Sequence, residues 1–281
     1  MYNVPFQVDL SNKVVAVTGA GGIICSEFAK ALAACGAKVA LLDINYDAAK
    51  KYADEIGENA LAVKCNCLEK ASLEEAKAVV DEKLGACDIL INGAGGNNPR
   101  ATTANEYFDI DALESPEVQD FFSLSADGFK FVFDLNVTAA FLTTQVFARD
   151  MAKNGKGNIL NISSMNAFRP LTKIPAYSAA KAAVSNFTQW LAVHFAQAGI
   201  RVNAIAPGFF VSNQNRALLF NPDGTPTPRT GKILGGTPMK RFGESEELLG
   251  GLLFFLSDEA SSFITGVVLP IDGGFSAYSG V

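Results

Sequence analysis

The sequence predicts an α/β protein with a doubly wound parallel sheet of about seven strands and helices on both faces. Short β-branched runs are apolar along their whole length, which is typical of parallel strands buried on both faces. Longer segments with helical periodicity separate these runs, as parallel crossover connections require. With 281 residues, 49% of them hydrophobic, the chain is long enough for one large core, and we expect a single domain over 1–281.

Seven runs predict the strands, and ligands of such sheets bind where strands end at their carboxyl side. Two longer segments interrupt the alternation: an insertion at about 97–130, rich in Asp, Glu and Phe, and a loop at about 208–240, rich in Pro, Gly and Thr. Connections of this length are typical of lids and binding loops. The predicted strands are 14–18, 38–43, 60–64, 88–92, 158–163, 200–206 and 267–270.

Charge and hydropathy exclude several classes of partner. The net charge is -6 and the isoelectric point is near 4.9, and no Lys/Arg-rich run offers a local basic surface, so we expect no nucleic-acid partner. The opening MYNVPFQVDL has no cationic start or apolar stretch, and the longest later apolar run, LLFFL at 252–256, is short. We therefore expect no membrane partner and a cytoplasmic protein.

Cysteine and histidine usage narrows the chemistry. The five cysteines (Cys25, Cys35, Cys65, Cys67 and Cys87) lie in the first third of the chain without paired metal-ligand spacing, which favours reduced thiols and no metal site. The single histidine, His194, lies on a helical run away from the face of Tyr177, so we interpret it as structural. Chemistry that depends on a catalytic histidine is thereby disfavoured.

A glycine-rich turn follows the first strand and predicts a Rossmann-type dinucleotide site. The sequence TGAGGIIC at 18–25 leads directly into a helix. Such a turn allows close approach of a pyrophosphate, with free N–H groups and the positive end of the helix directed at it. The candidate residues are Gly19, Gly21, Gly22, Ile23 and Ile24.

Asp43 ends the second strand, about 20 residues after the glycine-rich turn. A carboxylate there accepts hydrogen bonds from an adenosine ribose and repels a 2′-phosphate. The position favours NAD over NADP. The alternative is that Asp43 caps the helix that follows it.

Tyr177 and Lys181 lie at i and i+4 of a predicted helix, so one helix face presents them together. A phenol normally has a pKa of about 10, and a neighbouring ammonium stabilises its phenolate. The spacing therefore suits proton transfer. The alternative is an ordinary surface pair.

Seven motifs, taken in order and spacing, resemble the short-chain dehydrogenase/reductase family over nearly the whole chain. They are TGAGG at 18–22, LINGAGG at 90–96, LNVTAAF at 135–141, NISSM at 161–165, YSAAK at 177–181, IRVNAIAPG at 200–208 and IDGG at 271–274. The resemblance implies an oxidoreductase that moves a hydride between a nicotinamide and a carbonyl or alcohol carbon.

By the same resemblance, four residues form the catalytic set. Ser164 would hydrogen-bond the substrate oxygen, while Ser163 would face elsewhere. Tyr177 would donate or accept the proton, Lys181 would lower the pKa of Tyr177 and hold the nicotinamide ribose, and Asn136 would anchor a water in the proton relay.

The resemblance also implies further cofactor contacts. The alternative for each of these residues is a purely structural role in a turn or at a strand end. Asn92, Ala94 and Gly95 would line the adenosine side, Asn66 would meet the adenine, and Pro207, Gly208 and Val211 would border the nicotinamide.

Three residues depart from the family pattern. Ile23 and Cys25 stand where the usual turn has glycines, and Gly93 replaces the second Asn of the usual N-N-A-G. The pyrophosphate must therefore be met with larger side chains nearby. Cys25, beside a helix N-terminus, has either a lowered thiol pKa or a plain packing role.

The stretch NGAGGNNPRATT at 92–103 and the region around Tyr177 resemble the branch of the family assigned as D-mannonate oxidoreductases, also called fructuronate reductases; the gluconate 5-dehydrogenase branch is its neighbour. Both act on open-chain sugar acids, which need many polar partners and a cation for the carboxylate. Arg169 is the favoured carboxylate partner, with bracing of its own loop as the alternative. The other candidates are Asn98, Arg100, Ser164, Asn166 and Tyr177, with Asn215 and Arg216 reaching from the second loop.

Two other functions are also compatible with the sequence. A family-like fold that holds NAD(H) as a sensor without turnover is one, and an epimerase or dehydratase of nucleotide-linked sugars is another.

Aromatic residues in the insertion (Phe108, Phe121, Phe122 and Phe129) favour packing onto the domain or a neighbouring subunit over a metal site. The small residues of 179–183 and the family resemblance imply a homotetramer or homodimer.

Overall fold

Seven parallel strands form one sheet with the order β3-β2-β1-β4-β5-β6-β7. The structure is a computed structural model that describes residues 8–211 and 219–280. All seven predicted strands are present, each within one residue of its expected bounds, so the predicted fold class is confirmed. The strands are β1 (Val14–Thr18), β2 (Lys38–Asp43), β3 (Ala60–Lys64), β4 (Ile89–Asn92), β5 (Gly157–Ile162), β6 (Ile200–Pro207) and β7 (Val268–Ile271).

Helices cover both faces of the sheet. A short π-helical turn, Asp134–Thr138, joins the fourth and fifth helices into one bent rod. The helices are α1 (Ile23–Ala34), α2 (Tyr46–Ile56), α3 (Lys70–Lys83), α4 (Ala126–Phe133), α5 (Ala139–Asn154), α6 (Pro175–Phe195), α7 (Pro228–Gly236), α8 (Leu249–Leu256) and α9 (Asp258–Ser261).

The sheet contributes side chains to two cores, because successive side chains of a strand alternate between the faces of the sheet. Val15 and Val17 pack with α1 and α8 in one core. Val14 and Ala16 pack with α3 and α5 in the other. This double burial explains why the strands are apolar throughout rather than alternating.

The strand order reverses between β1 and β4, which are direct neighbours with Val17 opposite Ile91. The loops that follow the two strands separate there and leave a crevice at their carboxyl ends. Thr18 ties this edge together, because its hydroxyl accepts hydrogen bonds from the N–H groups of Gly93 and Ala94 at 3.0 and 3.2 Å.

A chain of buried amides fixes α6 relative to the sheet. Asn92 donates from Nδ2 to Asn161 Oδ1 at 2.8 Å, and Asn161 donates in turn to Thr188 Oγ1 at 2.8 Å. Buried polar groups cost free energy unless they are paired, so these bonds favour one placement of the helix. That placement positions Tyr177 and Lys181.

The insertion is shorter than the sequence indicates, because residues 126–130 belong to α4; its loop ends at Ser125, the N-cap of that helix. Phe108, Phe121 and Phe122 contact one another edge-on and are 55%, 67% and 72% exposed. These three rings are therefore mostly exposed rather than packed onto the domain, and packing onto a neighbouring subunit stays a prediction.

The joined helical segment Ala126–Asn154 is long and apolar enough, by length and composition, to cross a membrane. It exceeds the short run LLFFL on which the sequence-based expectation rested. Half of its apolar window is buried inside the domain, where Phe147 and Met151 belong to the second core. A core helix passes the same test, so the segment is weak evidence for a membrane span.

Candidate active site

A cleft of about 880 Å³ opens at the carboxyl ends of the strands. One wall consists of the glycine-rich turn after β1 and the residues that end β2, β3 and β4. The opposite wall comes from the 208–240 segment, including Phe209, Ile233 and Arg229. Most of the predicted cofactor residues line this cleft: Gly19, Gly21, Gly22, Ile23, Ile24, Asp43, Asn66, Ala94, Gly95, Gly208 and Val211.

The glycine-rich turn brings the backbone of β1 and β4 together. Gly19 has a φ of 67°, and a Cβ there would lie 2.9 Å from the Ala94 nitrogen, so both the conformation and the space require glycine. Gly22 is the N-cap of α1, and no side chain caps this end. The first N–H groups of α1 therefore face the cleft without a side-chain acceptor, which suits a bound pyrophosphate.

Asp43 lies on the cleft wall with its carboxylate fixed by two main-chain donors. Gly21 N–H donates to Oδ2 and Asn45 N–H donates to Oδ1, both at 2.8 Å. The N-cap of α2 is Asn45, whose side chain accepts from Ala48 N–H, so the alternative of Asp43 as the helix cap is wrong. Each carboxylate oxygen keeps a lone pair for a ribose hydroxyl.

Asn66 also lines the cleft, but its side chain already makes two local bonds. Its Nδ2 donates to Glu69 Oε1 at 2.8 Å and its Oδ1 accepts from Leu68 N–H at 3.1 Å. The residue is thus a turn former and a wall residue at once. Both of the readings left open from the sequence are compatible with this position.

Cys25 and Gly93, two of the residues that depart from the family pattern, pack against each other. A Cβ at Gly93 would overlap the Cys25 sulfur, so the thiol fills the space that a side chain at 93 would need. Cys25 is 5% exposed, and burial raises its pKa to about 12. The idea of a lowered thiol pKa is therefore wrong, and packing is its role.

Four predicted cofactor residues do not line the cleft: Asn92, Pro207, Tyr177 and Lys181. Asn92 shares its strand face with Leu90, which packs in the second core, so its amide is directed into the protein towards Asn161 and Thr144. Pro207 lies opposite Ile271 at the end of β6. Strand alternation is the physical reason in the first case and strand pairing in the second.

Tyr177 and Ser164 form the centre of the predicted catalytic set. Ser164 follows the end of β5 and Tyr177 lies in the first turn of α6, and the Ser164 side chain acts on the Tyr177 phenol. Burial raises the pKa of the Tyr177 phenol, and the Ser164 side chain opposes that shift. A phenol kept protonated in this way can donate a proton to a bound oxygen.

Lys181 is 4% exposed, and its Nζ donates to the Ile162 carbonyl at 2.8 Å. Nζ also lies 5.6 Å from the centroid of the Tyr177 ring. Burial lowers the pKa of Lys181 to about 8. Lys181 therefore lies beside the phenol ring, and its predicted lowering of the Tyr177 pKa stays a prediction.

Ser163 and Asn136 are both committed to structural bonds. Ser163 lies 2.7 Å from Ser185 Oγ and bonds the Lys181 carbonyl, so it faces α6, as predicted. Asn136 donates to the carbonyls of Gly96 and Val132 at 2.7 and 2.8 Å. Both amide protons of Asn136 are thus donated to carbonyls. A water at Asn136 would have to bind other polar atoms of this residue.

Gly95 stands where the cleft meets the catalytic set. A Cβ at this position would lie 2.6 Å from Asn136 Oδ1 and 3.1 Å from Lys181 Nζ. The missing side chain allows both polar groups to approach the cleft wall. The cofactor and catalytic residues predicted from separate motifs thus meet at one glycine.

The predicted substrate residues are only partly brought together. Asn166 is buried beside Ser164, which accepts from its N–H at 3.3 Å, and its Oδ1 has no hydrogen-bond partner among the described residues. Asn98 caps a turn by accepting from Arg100 N–H, and neither residue lines the cleft. Asn215 and Arg216 lie outside the described residues.

Arg169, the favoured carboxylate partner, is exposed and donates from Nε to the Ser276 carbonyl at 3.2 Å. It does not line the cleft. Its Nε is used to brace the loop against the C-terminal segment, which is the alternative role, and its role as carboxylate partner stays a prediction. Sequence reasoning missed Arg229 instead, which does line the cleft; its place within the 208–240 segment is its only signal.

The chain is similar to known proteins of the family that the site residues indicate. Residues 13–219 match the family of short chain dehydrogenases. An uncharacterized oxidoreductase of Haemophilus influenzae is 58% identical over 99% of this chain and 98% of its own. An uncharacterized oxidoreductase of Bacillus subtilis, UxuB, is 49% identical over 99% of this chain and 100% of its own.

A solved structure from Haemophilus influenzae, provisionally described as a D-mannonate oxidoreductase and holding bound NAD, superposes with a TM-score of 0.93. It is 59% identical and the match covers 99% of this chain and 100% of that one. The chain belongs to the short-chain dehydrogenase/reductase family, and it is an oxidoreductase.

Proposed function

We propose that this oxidoreductase uses NAD(H) and interconverts an open-chain sugar-acid ketone and its alcohol, with D-fructuronate and D-mannonate as the pair. The observation that carries the chemistry is the buried Lys181 ammonium 5.6 Å from the centre of the Tyr177 ring, with Ser164 acting on the same phenol. The sugar-acid assignment is supported by the description of the 59% identical structure. A cytoplasmic location and a homo-oligomer remain part of the proposal.

The cleft fits a dinucleotide by its own features. The uncapped N-terminus of α1 and the backbone approach at Gly19 suit a pyrophosphate. Asp43 suits an adenosine ribose and disfavours a 2′-phosphate, which supports NAD(H) over NADP(H). The bound dinucleotide supplies the hydride that adds to the carbonyl carbon.

In the reduction direction, Tyr177 gives its proton to the carbonyl oxygen as that oxygen gains negative charge. Ser164 donates a hydrogen bond to the same oxygen and holds it near Tyr177. Lys181 stabilises the phenolate that Tyr177 becomes, since its ammonium lies beside the ring. In the oxidation direction each proton moves the opposite way, and the phenolate accepts the hydroxyl proton.

The test follows NADH and NADPH absorbance with D-fructuronate, 5-keto-D-gluconate and simple ketones. We expect NADH-dependent reduction of D-fructuronate and a much smaller rate with NADPH. A gluconate 5-dehydrogenase-like activity would appear as preference for 5-keto-D-gluconate and would contradict the substrate assignment alone. Binding of NADH without turnover of any compound would favour the sensor reading.

A further inference from the structure

Arg229 has an unusual position among the arginines near the site. Among the described residues that line the cleft, it is the one cation, and Asp43 is the one carboxylate. Within residues 8–211 and 219–280, Arg229 makes no ion pair.

The helix that carries Arg229 contacts the insertion. Lys232, one turn further along α7, forms an ion pair of 2.8 Å with Glu106 of the insertion. The pKa of Glu106 is lowered by that contact and also by the charges of Lys173 and Arg229. Arg229 is therefore close enough to the insertion for its charge to act on Glu106.

The opposite wall has the groups that suit a diphosphate. The glycine-rich turn and the uncapped N-terminus of α1 offer main-chain N–H donors there. A diphosphate on that wall leaves the Arg229 guanidinium without an anion. A planar guanidinium that faces a cleft is suited to a carboxylate, which it binds through two parallel hydrogen bonds.

We infer that Arg229 is the residue that binds the carboxylate of the substrate and so selects sugar acids over uncharged sugars. The inference rests on the proposed function, because it takes the substrate to be a carboxylic acid. It moves the role expected of Arg169 to the helix of the 208–240 segment. Lys232 of the same helix pairs with Glu106 of the insertion, so the helix that carries Arg229 contacts a second segment at the site.

The experiment compares D-fructuronate with D-fructose, the ketose that lacks the carboxylate, in wild type, Arg229→Gln and Arg229→Lys. Arg149→Gln, an exposed arginine of α5, is the matched control, and Arg169→Gln tests the residue favoured from sequence. We expect kcat/KM for D-fructuronate to fall about 10- to 100-fold in Arg229→Gln. The value for D-fructose, the Kd of NADH and both control variants should not change, and Arg229→Lys should recover part of the loss.

Three results would overturn the inference. An equal loss for both sugars would show that Arg229 does not act on the carboxylate. A weakened Kd for NADH, measured by fluorescence titration, would assign Arg229 to the cofactor diphosphate. A loss in Arg169→Gln with none in Arg229→Gln would restore the first prediction.

Failure of the proposed function gives a different pattern. If wild type reduces neither sugar, that function is wrong, and D-mannonate is then titrated into the protein saturated with NADH. Binding of D-mannonate to wild type and its loss in Arg229→Gln would still support the inference. Equal binding by the two proteins, or no binding to wild type, would contradict it.

Discussion

At the scale of single residues, burial affects Tyr177 and Lys181 in a way that their spacing along the helix does not predict. The sequence places Lys181 four residues after Tyr177 and predicts its effect on the phenol. The structure shows that burial acts first, raising the pKa of Tyr177 and lowering that of Lys181 to about 8. Spacing along a helix predicts that two side chains are neighbours, but it does not predict how far each is removed from water.

The lowered pKa of Lys181 makes a prediction about stability. The folded pKa is about 8, below that of the unfolded chain, so the unfolded chain binds more protons between those values and stability rises with pH. Lys181→Met lacks this effect. The free energy of unfolding of wild type relative to Lys181→Met should rise by about 2 kcal/mol from about pH 7 to about pH 10.

Urea unfolding of both proteins across that pH range measures the difference, and each pH needs its own pair of curves. Lys153→Met, an exposed lysine of α5, is the control and should show no such trend. A difference that stays constant with pH would mean that the Ile162 carbonyl compensates the buried ammonium fully.

At the scale of elements, the strands were predictable because burial on both faces leaves one signal, an apolar run. The glycine-rich turn and Asp43 were predictable as well, since they follow such runs directly. Asn92 was assigned to the wrong side, although alternation from Leu90 would have placed it in the core. Arg229 was not predicted as a cleft residue. Its position depends on how α7 packs against the insertion, which is distant in sequence, and a local sequence pattern does not contain that information.

The packing of the turn after β1 against the end of β4 depends on a matched pair. Gly93→Ala places a methyl group against the Cys25 sulfur and 2.7 Å from the carbonyl oxygen of Thr18. We expect this overpacking to destabilise the protein by about 1–3 kcal/mol. In a Cys25→Gly background the cost should be smaller by about 1 kcal/mol, because one of the two clashes disappears.

Chemical unfolding of the wild type, both single variants and the double variant measures this coupling. Gly57→Ala, where the added methyl group meets nothing within 4 Å but φ is 89°, is a control for the cost of substituting a glycine. Additive effects of the two substitutions would contradict the matched pair.

At the scale of the whole molecule, α6 carries both the site and an exposed aromatic face. Trp190 stacks on His194 with ring centroids 4.6 Å apart, and Trp190 and Val193 are 55% and 81% exposed. Ala180, one of the small residues noted in the sequence, is fully buried within the subunit. Subunit contacts of a homodimer or homotetramer would therefore use the outward face of α6 rather than Ala180.

Val193→Asp tests this expectation. A charge in the centre of an apolar interface must be buried without a partner, so the variant should have a lower molar mass than wild type by light scattering after gel filtration. Val79→Asp, which adds the same charge to a 38% exposed position on α3, should keep the mass of wild type. An unchanged mass for Val193→Asp would place the subunit contacts elsewhere.

The central claim is that Tyr177 transfers the proton in an NADH-dependent reduction of a sugar-acid ketone. The most direct measurement follows NADH consumption with D-fructuronate by wild type, by Tyr177→Phe and by Tyr52→Phe, a control on α2. We expect turnover to fall about 10²- to 10⁴-fold in Tyr177→Phe, with NADH binding retained and the control unchanged. Turnover of Tyr177→Phe at the wild-type rate would contradict the claim.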